Sequence, residues 1–376
     1  MTSFGGPIAH LGYFHNELVS RRKWIDERAY ADLVALCQFI PGPASSQVGI
    51  ALGLSRASYL GALAAWLGFT LPSFIILTSF AFGISELHGP IHLGYLHGLK
   101  VVAVAVVAHA IWGMSVQLCS GKIRATIALS AAILASLISS AITQVLIIFL
   151  GAIVGLVFLR NEEQLPQVSF IVNFSKKIGI LFLGLFFIIL AVLPFIANHF
   201  DNPIIKQFDS FYRAGSLVFG GGHVVLPLLK NEIVNSEMVS NEAFMAGYGA
   251  AQAIPGPLFT FSAYLGAVST AFPSKLLGAT FCLLAIFLPS FLLIVGVLPF
   301  WENLRKYANM KFAISGINAS VVGLLISAFY NPVWSSAIYN VKDFSLAIGA
   351  FLILVFWKFP PWFVVIFCAI IGGLFL

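Results

Sequence analysis

The chain has 376 residues, of which 60% are hydrophobic and only 9% charged, whereas about a quarter of a soluble domain is usually charged. No polar stretch is long enough to form a separate soluble domain, so most of the chain is expected to lie in lipid. The formal net charge of +6 calls for no nucleic-acid partner, because basic residues gather in the cytoplasmic loops of multi-pass proteins.

In chain order, Phe4-Gly5-Gly6 comes first, then a polar loop with Arg21, Arg22, Lys23 and Arg28. Residues 29–54 carry Q-F-I-P-G-P at Gln38 to Pro43. Pro41 and Pro43 remove backbone donors and Gly42 permits unusual dihedrals. A helix is therefore predicted to stop near Ile40 and a new one to start at Ala44-Ser45-Ser46-Gln47. Apolar runs follow at 58–83, 95–118, 124–140 and 143–159. A helix needs roughly 20 apolar residues to cross a bilayer, so these read as spans. A lone span at 178–197 lies between polar connectors at 160–177 and 198–210. Residues 211–229 hold Gly220-Gly221-Gly222-His223, and 243–272 hold Q-A-I-P-G-P at Gln252 to Pro257. Further spans are predicted at 275–298, 312–330, 344–358 and 361–376.

The second half repeats the first. Besides the Pro-Gly-Pro hexads, Phe4-Gly5-Gly6 matches Phe219-Gly220-Gly221 and Glu17 matches Glu232. Leu71-Pro72-Ser73-Phe74 matches Leu288-Pro289-Ser290-Phe291, and Gly98-Leu99 matches Gly316-Ile317. Loop charges are crossed between the copies. The loop at Arg21 to Arg28 is basic, whereas its counterpart carries Lys230 with Glu232, Glu237 and Glu242. Residues 84–97 contain no Lys or Arg, whereas 300–311 contain Arg305, Lys306 and Lys311. Basic loops mark the cytoplasmic side, so equivalent loops are expected on opposite sides of the membrane. An odd number of crossings between the copies gives the same answer if 29–54, 211–229 and 243–272 enter and leave on one side. The predicted fold is an all-α polytopic integral membrane protein with two inverted-topology repeats and broken, re-entrant helices at the Gly-Gly and Pro-Gly-Pro motifs. The expected units are a first repeat at 1–160, a linker with one transmembrane helix at 161–210, and a second repeat at 211–376.

Corresponding breaks in two repeats point to a substrate site. The expected binding residues at the first break are Gln38, Pro41, Gly42, Pro43, Ser45 and Ser46, and at the second Gln252, Pro255, Gly256, Pro257 and Thr260. Gly220, Gly221, Gly222 and His223 join them, with Lys100 as a full positive charge. Free N–H groups at a helix start favour an anion. The plainer alternative is that prolines kink helices and small residues let them pack closely. Lys100 has its own alternative, snorkelling to the interface. Asp32, Glu17 and Glu232 are candidates for proton coupling, since an acid in the membrane is costly and functional by default. Cys37, Cys119, Cys282 and Cys368 form no C-x-x-C pair and read as apolar fillers. No protease, esterase, P-loop or zinc-ligand pattern is present, so no cofactor, metal or catalytic residue is expected.

F-G-G-P-I-A-H-L-G-Y-F at 4–14, R-R-K-W-I-D-E at 21–27 and L-C-Q-F-I-P-G-P-A-S-S-Q at 36–47 resemble the chromate ion transporter family in its long two-domain form. F-Y-R-A-G-S-L-V-F-G-G-G-H-V-V-L-P-L-L at 211–229 and G-Y-G-A-A-Q-A-I-P-G-P-L-F-T-F at 247–261 are equally close. The resemblance implies a secondary transporter of the inner membrane that exports chromate and gives chromate resistance, with sulfate as a competing analogue. The expected partners are such an oxyanion, the bilayer and a second copy of the chain. The family's first domain has a further stretch ahead of F-G-G, so the first module is expected to be shortened or its start to lie upstream. Three other readings stand beside this one: a transporter of sulfate or another anion with chromate incidental, a passive anion channel, and a membrane enzyme acting on lipid-linked substrates. The last would need reactive groups at one membrane face, where the R-R-K-W-I-D-E loop is the sole candidate.

Overall fold

Prolines and glycines set the path of this chain, because inside lipid a backbone break is tolerated only where protein covers it. The structure is a computed structural model and describes residues 6–86, 90–138, 141–159, 175–200, 202–219, 224–234, 236, 238–301 and 308–375. The first half comprises α1 (Gly6–Phe14), α2 (Glu27–Phe39), α3 (Ala44–Glu86), α4 (Pro90–Leu118), α5 (Lys122–Leu137) and α6 (Ala141–Phe158). Helix α7 (Lys176–Phe200) connects the halves. The second half opens with α8 (Pro203–Leu217), α9 (Val225–Leu229) and α10 (Asn241–Ala251). It continues with α11 (Phe261–Val268), α12 (Lys275–Val297), α13 (Ala308–Ala328), α14 (Val341–Val355) and α15 (Pro361–Phe375). No strand occurs among the described residues.

The first break falls where the prolines require it, between Phe39 and Ala44. Helix α3 is not one rod, since Ala57 and Ser58 leave helical dihedrals. Gly53 and Gly61 touch so closely that a Cβ on either would overlap the other's carbonyl oxygen. In a straight helix they would lie about 12 Å apart, so the chain doubles back between them. The Arg56 guanidinium, at the end of the first arm, lies 5.1 Å from the Trp24 ring, just before α2. The helix–break–helix unit thus begins and ends at one place. The second half repeats this device. Gly266 and Gly278 touch across the turn between α11 and α12, and the Tyr264 hydroxyl of α11 donates to the Ala243 carbonyl at the start of α10.

Among the described residues five segments are long and apolar enough to cross a membrane: Ala44–Gly83, Gly94–Leu118, Lys176–Phe200, Lys275–Phe300 and Lys311–Trp334. Thr143–Phe158 and Pro361–Leu374 are shorter and apolar. The chain is therefore an all-α, multi-pass membrane protein. Helix α12 is mostly buried and forms the centre with α8, α11 and α3, while α7 is largely exposed at the edge.

The halves interlock. Helix α4 of the first half packs on α14 and α15 of the second, and α13 of the second packs on α5 and α6 of the first. Glycines make both crossings possible: Gly98 lies against the Cys368 carbonyl and Gly94 against Gly372, while Gly316 lies against Gly151 and Gly155. A Cβ at any of these would meet backbone, which is the usual role of small residues at helix crossings in lipid. One polar strap joins the halves as well. His97 of α4 pairs with the fully buried Asp343 of α14 at 2.8 Å. Asp343 also accepts the N–H groups of Tyr339 and Asn340.

Candidate functional site

Gly42 and Gly256 adopt φ of 126° and 118°, a region that L-residues with side chains rarely enter. Each glycine is also held by the opposite half. The Gly42 N–H donates to the Val218 carbonyl at 2.7 Å, directly ahead of the second glycine motif. A Cβ on Gly42 would lie 2.8 Å from the Ser290 hydroxyl oxygen. A Cβ on Gly256 would overlap the Ser73 hydroxyl, which donates to the Pro255 carbonyl. Ser73 and Ser290 are the matched serines of the two L-P-S-F motifs. The sequence marks them only as repeat landmarks, whereas in the structure each sits on the other half's break.

At the first break Pro43, Ser45, Ser46 and Gln47 are buried, Pro41 is partly buried and Gln38 is exposed on α2. The Gln47 amide donates to the Pro41 carbonyl at 2.6 Å and closes the turn. Hydrogen bonding into α3 begins with Gln47 N–H to Pro43 O at 3.0 Å, which leaves the N–H groups of Ala44, Ser45 and Ser46 at an open helix start. The Ser45 hydroxyl lies 3.4 Å from Nδ1 of buried His10. The Ser46 hydroxyl, Gln47 Oε1 and the Ser290 hydroxyl are buried without a protein partner. The His10 ring packs edge-on against Phe69, whose carbonyl would lie 3.0 Å from a Cβ on Gly256. Ser45, His10 and Phe69 thus link the two breaks.

The second break is longer than its partner. Helix α10 ends at Ala251, so Gln252 caps the helix while Gln38 lies inside one. Ala253 and Ile254 continue with tight backbone turns, and a short 3-10 segment at Leu258–Thr260 precedes α11. The chain after this break therefore starts as 3-10, with the α-helix beginning at Phe261. The Thr260 hydroxyl donates to the Pro257 carbonyl at 2.6 Å, so its hydrogen is already engaged. Ser262 in the next turn has a buried hydroxyl without a partner, as does Nε2 of Gln252.

Lys100 is nine-tenths buried and makes no hydrogen bond or ion pair among the described residues. It follows Leu99, whose carbonyl meets Gly249 of α10 where that helix crosses α4. Its repeat partner Asn318 has a buried side-chain oxygen without a partner. Asp32 is partly buried on α2. Glu17 lies with Arg21 at 3.1 Å and Arg22 at 2.6 Å, and Arg22 and then Arg21 hold its carboxyl below the usual range. Glu232 is more enclosed. It accepts from Ser210 at 3.2 Å and pairs with Arg213 at 2.8 Å, and Arg213 also pairs with Asp209 at 2.7 Å. Asp209 and Arg213 are not among the residues expected from sequence, although an Asp–Arg pair four residues apart on an amphipathic helix is a readable signal. Gly220, Gly221, Gly222 and His223 lie outside the described residues, as does Gly5. Among the described residues no three metal-ligating side chains gather.

The family described as chromate transporter matches the chain over residues 1–156 and 205–373. A probable chromate transport protein of Synechococcus elongatus is 25% identical over 99% of this chain and 92% of its own length. A chromate transport protein of Cupriavidus metallidurans is 24% identical over 86% of this chain and 78% of its own. The uncharacterized transporter YwrA of Bacillus subtilis is 29% identical over 45% of this chain but 96% of its own length. No solved structure matches. With the family matched over both halves, the chain belongs to the chromate transporter family.

Proposed function

We propose that this chain is a secondary transporter that exports chromate, a tetrahedral dianion, across the bacterial inner membrane and so confers chromate resistance. The observation that carries the reading is the reciprocal docking of the two Pro-Gly-Pro breaks beside buried, partnerless polar groups. These are Ser46, Gln47 and Ser290 at the first break and Gln252 and Ser262 at the second. Hydroxyl, amide and open N–H groups suit an oxyanion that must be bound and then released. Half-helix starts at the two breaks contribute roughly +0.5 elementary charge each, and with the full charge of Lys100 the sum is comparable with a dianion. The family match in two segments and the half-length relative support a duplicated module. The exchanged contacts between halves support a two-fold relation, as in an isologous pair. A negative-inside potential drives anions outward by about 2.3 kcal/mol per charge per 100 mV, so potential alone favours export of a dianion.

The test is chromate flux in proteoliposomes, with potential and pH gradient imposed separately and sulfate added as competitor. The expected result is voltage-dependent chromate flux with counterflow, which an open channel lacks. Gly42→Val and Gly256→Val are expected to insert and lose that flux. Absence of chromate flux with intact sulfate flux would overturn chromate as the substrate, and flux without counterflow would overturn the carrier mechanism.

A further inference from the structure

Arg213 of α8 reaches two acids at once, Asp209 one turn earlier at 2.7 Å and Glu232 beyond the second glycine motif at 2.8 Å. With both carboxylates ionised the group carries one uncompensated negative charge. Beside it lies a cavity of about 60 Å³ lined by Gln144, Val145, Arg213, Ala214, Leu217, Leu228 and Glu232. Gln144, on α6 of the first half, is more than nine-tenths buried, and its Oε1 has no protein partner. Asp209 is equally buried, and its Oδ1 is also without a partner. Two carboxylates share one guanidinium, whose Nε is itself without a partner, and Glu232 lines the small cavity together with the unpartnered Gln144 acceptor.

We infer that Asp209, Arg213, Glu232 and Gln144 form a binding site for a single proton. A hydronium ion gives its proton to a carboxylate oxygen of the pair and leaves as water. The new O–H then has Gln144 Oε1 as its acceptor, directly or through one water, and the group becomes neutral. Burial pushes both carboxyls up from the usual carboxylate range, opposed in each case by Arg213. Neighbouring elements leave this balance to the group itself. Helices α6 and α9 bring no titratable side chain. From α7 come Lys176, Lys177 and His199, all at its ends, and α12 brings Lys275 at its first residue and Cys282. Lys275 lies over the Phe82 ring and Lys230 donates to Asn331, so both are engaged elsewhere. On α8 itself Tyr212 donates to the Phe186 carbonyl, and Lys206 stands in the first turn.

The site can act on transport because the Arg213–Glu232 pair ties α8 to the residues that follow α9. Helix α8 then runs to Val218, whose carbonyl holds the Gly42 N–H of the first break. Releasing or tightening the Arg213–Glu232 pair therefore moves the element that carries a substrate-site contact. The coupling half of this inference rests on the transport reading above, but the proton site itself does not.

Two measurements on the full-length protein test it. The first is infrared titration in detergent, which reads carboxylic C=O absorption without any transport. The wild type is expected to keep one protonated carboxyl at pH values where ordinary carboxylates have ionised, and Glu232→Gln or Asp209→Asn to lose it. Each variant leaves Arg213 with one carboxylate, so neither buries an unpaired charge. An unchanged protonated band in both variants would overturn the site. The second is chromate flux in proteoliposomes, read as the ratio of pH-gradient-driven to potential-driven rate. For one coupled proton, the accumulation ratio is expected to shift about tenfold per unit of pH gradient. That shift is expected to vanish in both variants. Its persistence in both, or its absence from the wild type, would overturn the coupling. If the wild type carries no chromate under either drive, the transport reading fails, and the infrared titration still decides the proton site.

Discussion

Ser73 and Ser290 occupy matched places in the two halves, yet their hydroxyls are used differently. Ser73 donates to the Pro255 carbonyl, whereas the Ser290 hydroxyl is buried beside Gly42 without a partner. A net intramolecular hydrogen bond contributes about 1 kcal/mol. Ser73→Ala is therefore expected to lower stability by about that much, and Ser290→Ala to leave stability nearly unchanged while weakening chromate binding. Thermal unfolding and equilibrium chromate binding on both variants check this, and equal destabilisation by the two would remove Ser290 from the site. The Pro-Gly-Pro breaks themselves are legible in the sequence, because proline and glycine act through local backbone rules. The serines that hold them are not. Ser73 reaches Pro255 across 182 residues of chain, and no local rule carries that distance. Thr260 reads as an anion donor by analogy with Ser46, but its bond to Pro257 depends on the 3-10 geometry of a break that is longer than its partner.

At the scale of elements, glycines divide into those that set a helix crossing and those that face open space. Gly98 meets the Cys368 carbonyl and Gly316 meets the Gly151 carbonyl, while Gly68 and Gly113, also in apolar helices, have nothing within 4 Å of the place a Cβ would take. Gly98→Val and Gly316→Val are expected to force α4 from α15 and α13 from α6, with a large loss of folded protein. Gly113→Ala is expected to be neutral or to stabilise by about 0.4–1 kcal/mol, since alanine restricts the unfolded chain and fits a helix. Detergent-solubilised yield and unfolding temperature read both effects, and a well-folded Gly98→Val variant would contradict the crossing. Apolar runs predict the second arm of α3, α4 to α7 and α12 to α15, because length and hydropathy decide which segments can span. They do not predict which helices touch. The apolar run at 58–83 predicts a span that starts afresh, and the structure agrees by reversing the chain at Ala57–Ser58. That reversal follows from Gly53 and Gly61, which carry no signal in the sequence beyond being small.

For the whole molecule, two pairs of contacts exchange between the halves. Gly42 with Ser290 answers Gly256 with Ser73, and Gly98 with Gly372 answers Gly316 with Gly155, while Gly53 with Gly61 and Gly266 with Gly278 make similar contacts within each half. Contacts that exchange between halves are what a two-fold axis produces. Such an axis can lie in the membrane plane or along its normal, and loop charge separates the two cases. The Arg21–Arg28 loop and the end of the first hairpin at Arg56 lie together through Trp24, which concentrates positive charge on one side. The counterpart at Lys230 to Glu242 is acidic on balance, as expected for the opposite side. Single cysteines at Trp24 and Ser240, in a variant lacking Cys37, Cys119, Cys282 and Cys368, are therefore expected to react with an impermeant thiol reagent from opposite sides. A third cysteine at Lys122 is expected to share the side of Trp24, since the first turn of α5 carries Lys122 and Arg124. Labelling of Trp24 and Ser240 from the same side would place the axis along the membrane normal. The two breaks would then open toward one face, and a carrier that exposes its site alternately to the two faces would lose the symmetry that makes its inward and outward states alike.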